Sequence, residues 1–201
     1  QGQGPEPEPR PAAGPGSPRP TPSTGSEATE GALLLASIYT GNNEIIALRN
    51  GLHGRTKLGM SVTGIQMWRT DENPVGGIHF APNPYCYRCP LGKKRETCDL
   101  ACANMIEDVI QTSTAGHPGA FIAETIQGNA GIVVPPEGYF QRVKEILAQH
   151  NTLFIADEVQ TGFGRTGRMF AIENFGVVPD IMAVAKALGN GAPISAFIST
   201  A

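Results

Sequence analysis

The stretch Leu153-Phe154-Ile155-Ala156-Asp157-Glu158-Val159-Gln160-Thr161-Gly162-Phe163-Gly164-Arg165-Thr166-Gly167 decides the fold. A short apolar run over residues 152–156 stops at the acid Asp157, and glycine-spaced polar residues follow. A continuous apolar run of this length, bounded by turn residues, predicts a strand buried on both faces. Downstream, Pro179-Asp180-Ile181 opens a second such run that closes on Ala185-Lys186-Ala187-Leu188-Gly189-Asn190-Gly191. Two buried strands therefore end in an acid and in a lysine, 29 positions apart.

The alternation extends in both directions from this pair. Residues 137–150 read as a helix, 120–125 as a buried strand, and 100–113 as a helix with apolar positions at Met105, Ile106, Val109 and Ile110. Earlier, Thr24 with Glu27 three residues on makes a capping box for a helix running to about residue 39. A strand over residues 44–48 comes next, and residues 50–56 turn into a short helix toward Val62. Residues 66–94, rich in Pro, Gly, Asn and aromatics, read as a long ordered loop, and residues 194–199 complete the series. Continuous apolar strands alternating with helices predict an α/β domain on a mainly parallel sheet. No internal repeat interrupts it. Residues 1–23 are mostly Pro, Gly, Glu and Ser and predict a disordered leader, leaving residues 24–201 as the folded unit.

With 15 Lys plus Arg against 18 Asp plus Glu, the net charge of −3 offers no general attraction for nucleic acid or an anionic membrane surface. No apolar run approaches a membrane span, and the leader lacks both the apolar core of a secretory signal and the amphipathic, acid-poor character of a mitochondrial transit peptide. The four cysteines fall between Cys86 and Cys102, too local for a disulfide framework, so the expectation is a cytoplasmic protein in a reducing compartment.

Ligands of such sheets gather at the carboxyl ends of the strands, where Asp157 lies. A carboxylate there suits a pyridine nitrogen, although an acid at a strand end also caps turns. Glu158, pointing to the opposite face, takes a structural or gating role. Lys186 follows an apolar segment and precedes small residues; a buried lysine loses proton affinity and becomes a nucleophile toward an aldehyde. The bland alternative is a surface lysine. Together the acid and the amine are the groups that hold and use pyridoxal 5'-phosphate. Gly25 and Ser26 at a helix N-terminus offer free amides and a hydroxyl to a phosphate, although capping boxes are common without one.

The quoted phrases resemble the signature of the class-III pyridoxal-phosphate-dependent aminotransferases. Ser26-Glu27-Ala28, His53-Gly54-Arg55-Thr56 and Glu124-Thr125-Ile126-Gln127-Gly128 fit the same family, so the resemblance runs from about Thr24 to the end. It implies the large domain of fold type I, with the cofactor's aldehyde on Lys186 and its pyridine nitrogen on Asp157. It further implies Val159 against one ring face, Gln160 on the phenolic oxygen, Gly25 and Ser26 on the phosphate, and His53 in the motif flanking the other face. Glu124 would stand near the substrate. The implied reaction exchanges an amino group between an amino acid or ω-amine and an oxo acid, pyruvate or a glyoxylate-like acceptor, in a homodimer. A lyase or racemase on the same scaffold is the alternative.

Two residues depart from the family pattern. Leu52 stands where an aromatic residue usually precedes the His-Gly pair, and Asn129 stands where ornithine-type members carry an acid. The family subunit is also about twice as long, with a threonine from the partner, a small C-terminal domain and its arginine. By that resemblance the chain is a partial large domain that alone binds the cofactor weakly and transaminates poorly. Cys86, Cys89, Cys98 and Cys102, spaced C-x2-C-x8-C-x3-C, leave open a zinc site beside the reading as ordinary loop thiols. A zinc-stapled interaction module would explain these thiols but leave Asp157, Gln160 and Lys186 unexplained.

Overall fold

The computed structural model describes residues 22–199. Its chain order is α1 (Gly25–Thr40), β1 (Ile45–Leu48), α2 (Lys57–Ser61), β2 (Ile78–Ala81), α3 (Ala101–Ser113), β3 (Ala120–Glu124), α4 (Tyr139–Gln149), β4 (Leu153–Asp157), β5 (Ile181–Val184) and β6 (Ala196–Ser199). The six strands form one sheet in the order β2-β1-β3-β4-β5-β6. All neighbours pair in parallel except β6, which runs antiparallel to β5. This is the mainly parallel α/β sheet that the alternation predicts.

Period-two alternation along the strands divides the core into two layers. Ile46, Leu48, Phe121 and Phe154 face α3 and α4, where Phe140 stacks on Phe154 with ring centroids 5.5 Å apart. Ile45, Ala47, Ile122 and Ile155 face α1, which meets them with Ala28, Ala32, Leu33 and Ala36. The small residues of α1 let the helix lie close to the sheet. The Thr24–Glu27 capping box forms: the Glu27 carboxylate accepts from the amides of Ser23 and Thr24 at 2.7 and 2.8 Å, and the Thr24 hydroxyl accepts from the Glu27 amide. These bonds hold the Glu27 carboxyl below its usual range, chiefly through the Ser23 amide. Asp180, from the Pro-Asp-Ile run, accepts from the Phe154 amide at 2.7 Å and from Lys144 at 2.8 Å, so it ties the start of β4 to α4.

Two element starts move by two residues and one strand is added. The helix expected from residue 137 begins at Tyr139, because Gly138 sits at φ 79 as its N-cap. The final strand begins at Ala196 rather than 194. Inside the expected loop of residues 66–94 lies β2, an edge strand whose first three residues are only half buried. An edge strand of four residues lacks the continuous apolar run that marks the buried ones. Of the leader read as disordered over residues 1–23, residues 1–21 lie outside the described residues. Pro22 and Ser23 are held, the Pro22 carbonyl accepting from the Ser195 amide at 3.0 Å and the Ser23 amide donating to Glu27 at 2.7 Å. No helix among the described residues is long and apolar enough to cross a membrane.

Candidate active site

Strand order reverses at β1, and the carboxyl ends of β1, β3, β4 and β5 all open toward one cavity of about 370 Å³. That volume lies in the range of small-ligand sites, roughly 300–1,000 Å³. Gly25, Ser26, His53, Glu124, Asp157, Val159, Gln160 and Lys186 all line it. The fold therefore gathers the eight residues read for the cofactor and substrate, drawn from the first turn of α1 and four strand ends, while Glu158 and the four cysteines lie outside the cavity.

At the floor, Asp157 is buried at the last position of β4. One carboxylate oxygen lies 2.8 Å from Nδ1 of His53 and the other accepts from the Val159 amide at 3.1 Å. The His53 amide in turn donates to the Thr63 hydroxyl at 3.1 Å. Burial pulls the imidazole toward its neutral form, but the bond and charge of Asp157, with the charge of Glu124, outweigh it and raise the His53 pKa. His53 thus stands against Asp157 as a buried partner, a contact not foreseen for a residue expected to flank a ring face. The neighbour Leu52 is only half buried and supplies the apolar wall of the cavity.

Glu124 ends β3 and accepts from two backbone amides, Leu52 at 2.8 Å and Gly128 at 2.9 Å. Burial nevertheless pushes its carboxyl up. The residue thereby locks the loop after β1 to the loop after β3. Gln160 projects beside Gly128, where an added Cβ would lie 2.6 Å from Oε1, so the glycine leaves the Gln160 amide its present place. Glu158 turns away from the cavity. Its buried carboxylate accepts from the amides of Ala171 and Ile172 at 3.0 and 2.8 Å and from the hydroxyls of Thr125 and Thr161. Of the two roles read for it, the structural one is seen.

Lys186 differs from its expectation. It lines the cavity but is exposed, not buried. The chain leaves β5 through Ala185 and places Lys186 at φ 45, a left-handed conformation that carries it out of the apolar run into the cavity mouth. Such strain at a non-glycine residue costs about 1–3 kcal/mol and persists where the surroundings hold it.

At the opposite wall the first turn of α1 presents the amides of Gly25 and Ser26. The Ser26 hydroxyl accepts from the Arg55 amide at 3.0 Å, which leaves its proton free to donate. A Cβ on Gly25 would lie 2.7 Å from Val159, so glycine lets the helix end sit against the turn that follows β4. Gly54 is as close, with an added Cβ 2.7 Å from the Ser26 hydroxyl, and its φ of 137 favours glycine as well. Gly54→Ala is expected to displace Ser26 and weaken an anion bound there about tenfold, with a stability loss of roughly 1–3 kcal/mol. Phosphate-dependent thermal shifts on both proteins check this; an unchanged shift contradicts it.

Two lining groups were not read from the sequence. Thr29, one turn into α1, points a buried hydroxyl without a hydrogen-bond partner at the cavity. Arg55 stands at the mouth with its guanidinium 5.3 Å from the Trp68 ring centroid. The spacing from Ser26 to Thr29 is the helical signal that marks the first; the arginine has only its place in the His-Gly-Arg-Thr run. The four cysteines line a separate small cleft, but among the described residues no three His, Cys, Asp or Glu stand together as metal ligands. The zinc reading therefore has no preformed site.

The residues fit pyridoxal phosphate by their chemistry. A histidine-backed acid, a free amine and a helix N-terminus with an open hydroxyl surround one cavity of suitable size. Comparison with known proteins agrees. The family model described as aminotransferase class-III matches residues 15–201. A leucine/methionine racemase of Thermococcus litoralis is 45% identical over 180 residues, covering 89% of this chain and 41% of the relative. A mitochondrial alanine–glyoxylate aminotransferase 2 homolog of Arabidopsis thaliana is 42% identical, covering 89% and 36%. Among solved structures, an amine transaminase from an uncultivated Pseudomonas species, in PLP-bound form, superposes with a TM-score of 0.83 at 36% identity, covering 89% of this chain and 42% of that one. The chain spans about two fifths of the length of these relatives. With residues 15–201 matched and its fold shared, the chain belongs to the class-III aminotransferase family.

Proposed function

We propose that residues 24–201 form the cofactor-binding part of a pyridoxal-phosphate-dependent aminotransferase that moves an amino group from an amino acid or ω-amine to an oxo acid. The observation that carries this is one cavity holding the Asp157–His53 pair, Lys186 and the α1 N-terminus. When bound, the cofactor supplies an aldehyde that condenses with amines and a ring that draws electrons from the substrate's α carbon.

Asp157 holds a proton on the ring nitrogen, with His53 and the Val159 amide fixing its carboxylate. The Gly25 and Ser26 amides and the Ser26 hydroxyl bind the phosphate dianion, aided by the dipole of α1. Val159 and Leu52 supply apolar contact, Gln160 orients an oxygen, and Glu124 holds the two loops that frame the substrate. Lys186 Nζ takes the proton from the α carbon and returns it on the other side of the exchange. The Arg55 guanidinium is the cation at the mouth suited to a substrate carboxylate.

We further assign a second copy of the subunit as the natural partner, supported by the exposed Leu34, Ile38 and Tyr39 on the outer face of α1. Free thiols support the cytoplasm as its compartment. The racemase name of one relative keeps a second reading, inversion at the same α carbon. A single experiment separates them. The cofactor-loaded protein given an amino acid alone should release one equivalent of oxo acid and stop until a different oxo acid is added. Inversion of configuration without any acceptor favours the racemase, and release of ammonia favours a lyase.

A further inference from the structure

Four thiols, Cys86, Cys89, Cys98 and Cys102, line one cleft between the loop after β2 and the start of α3. The catalytic cavity does not include any of them. The cleft encloses about 20 Å³, room for little more than a water, so it does not admit a bulky ligand.

We propose that Cys86 and Cys89 are a redox pair that closes to a disulfide when a low-molecular-weight disulfide is the oxidant. Cys86 opens a single 3-10 turn, Cys86–Arg88, and Cys89 follows it directly. In that conformation side chains at i and i+3 eclipse, and a rise of about 2.0 Å per residue sets the two Cα atoms about 6 Å apart. Disulfides span Cα separations of about 4.4–6.8 Å, so the turn needs little movement to close. Both residues are partly exposed, which admits a small oxidant, whereas Cys102 is buried.

The other two thiols are poorer candidates. Burial pushes the Cys102 thiol up to about 11, so it stays protonated at neutral pH and does not attack. Cys98 donates to the Arg95 carbonyl at 3.7 Å, and Asp99 and Leu100 after it both lie at positive φ where the chain enters α3. At Cys86, burial raises the thiol and the Arg95 guanidinium offsets this only in part, which leaves Cys89 as the first attacker.

The chemistry balances. One thiolate of the pair attacks a sulfur of the oxidant, its S–S bond breaks, and the first oxidant thiol leaves with that proton. The second cysteine then displaces the remaining half, forming the internal S–S bond and releasing a second thiol. Two cysteine thiols are oxidised and one external disulfide is reduced to two thiols.

The test treats the protein with oxidised glutathione, alkylates the remaining thiols and maps them by mass spectrometry. The expected result is loss of two of the four alkylatable thiols, a peptide lacking two hydrogens that contains Cys86 and Cys89, and recovery with dithiothreitol. C98S/C102S should retain the loss and C86S should abolish the internal bond, leaving a glutathione adduct on Cys89. A Cys98–Cys102 bond, or four thiols still alkylated after oxidation, overturns the proposal. So does stoichiometric zinc in the purified protein, which would assign the thiols to a metal instead.

Discussion

Asp157→Ala is expected to cost roughly 3–5 kcal/mol of stability, the penalty for leaving one half of a buried ion pair without the other. The loss should depend on pH. Because the folded pKa of His53 is raised, its protonated form is favoured by folding. That contribution is fully present below the unfolded value, about 6.5, and is lost as pH rises through the folded one. The gap between wild type and variant should therefore be widest near pH 6 and narrow toward alkaline pH. Urea unfolding at pH 6 and pH 9 measures it. A gap of equal size at both values would mean that Asp157 and His53 act only as packed, uncharged shapes. Asp157→Asn separates the two contributions further, since it keeps the shape and a hydrogen-bond partner while removing the charge. In the cofactor-loaded protein it should also slow proton removal from the substrate, because an amide cannot keep the ring nitrogen protonated.

Lys186→Ala carries the second large effect. Removing the amine takes away both the nucleophile toward the aldehyde and the base at the α carbon. Proton transfer alone is worth about 10²–10⁴-fold, so amino transfer should fall at least that far. Stability should change little, because Lys186 is exposed and holds a left-handed backbone that alanine occupies no more easily. Stopped-flow measurement of the half-reaction beside thermal unfolding shows both. A variant that transfers amino groups within tenfold of wild type would remove Lys186 from the mechanism.

What the sequence discloses follows from where the physics is local. The strands β3, β4 and β5 were legible because each is a continuous apolar run closed by a polar residue. The start of α1 was legible because a capping box needs only residues three apart. The edge strand β2 was not, because half-buried Ile78, His79 and Phe80 share their pattern with an ordered loop. The His53–Asp157 pair joins residues 104 positions apart, and no periodicity connects positions so distant. The apolar neighbours of Lys186 suggest a buried side chain, with a surface lysine as the alternative, and the structure places it exposed in a left-handed conformation just past the end of β5. Family resemblance named the site residues as a set, and only the folded sheet shows which carboxylate faces which base. It also separates Glu158, tied to backbone amides behind the sheet end, from Asp157 at the cavity floor.

The most direct test is chemical trapping. The protein is incubated with saturating pyridoxal phosphate, reduced with borohydride and digested, and the adduct is located by mass spectrometry. A stable pyridoxyl group on the peptide carrying Lys186, lost in Lys186→Ala and weakened in Gly54→Ala, is the predicted result. An adduct spread over surface lysines such as Lys57 or Lys94, with Lys186 unmodified, would contradict the account.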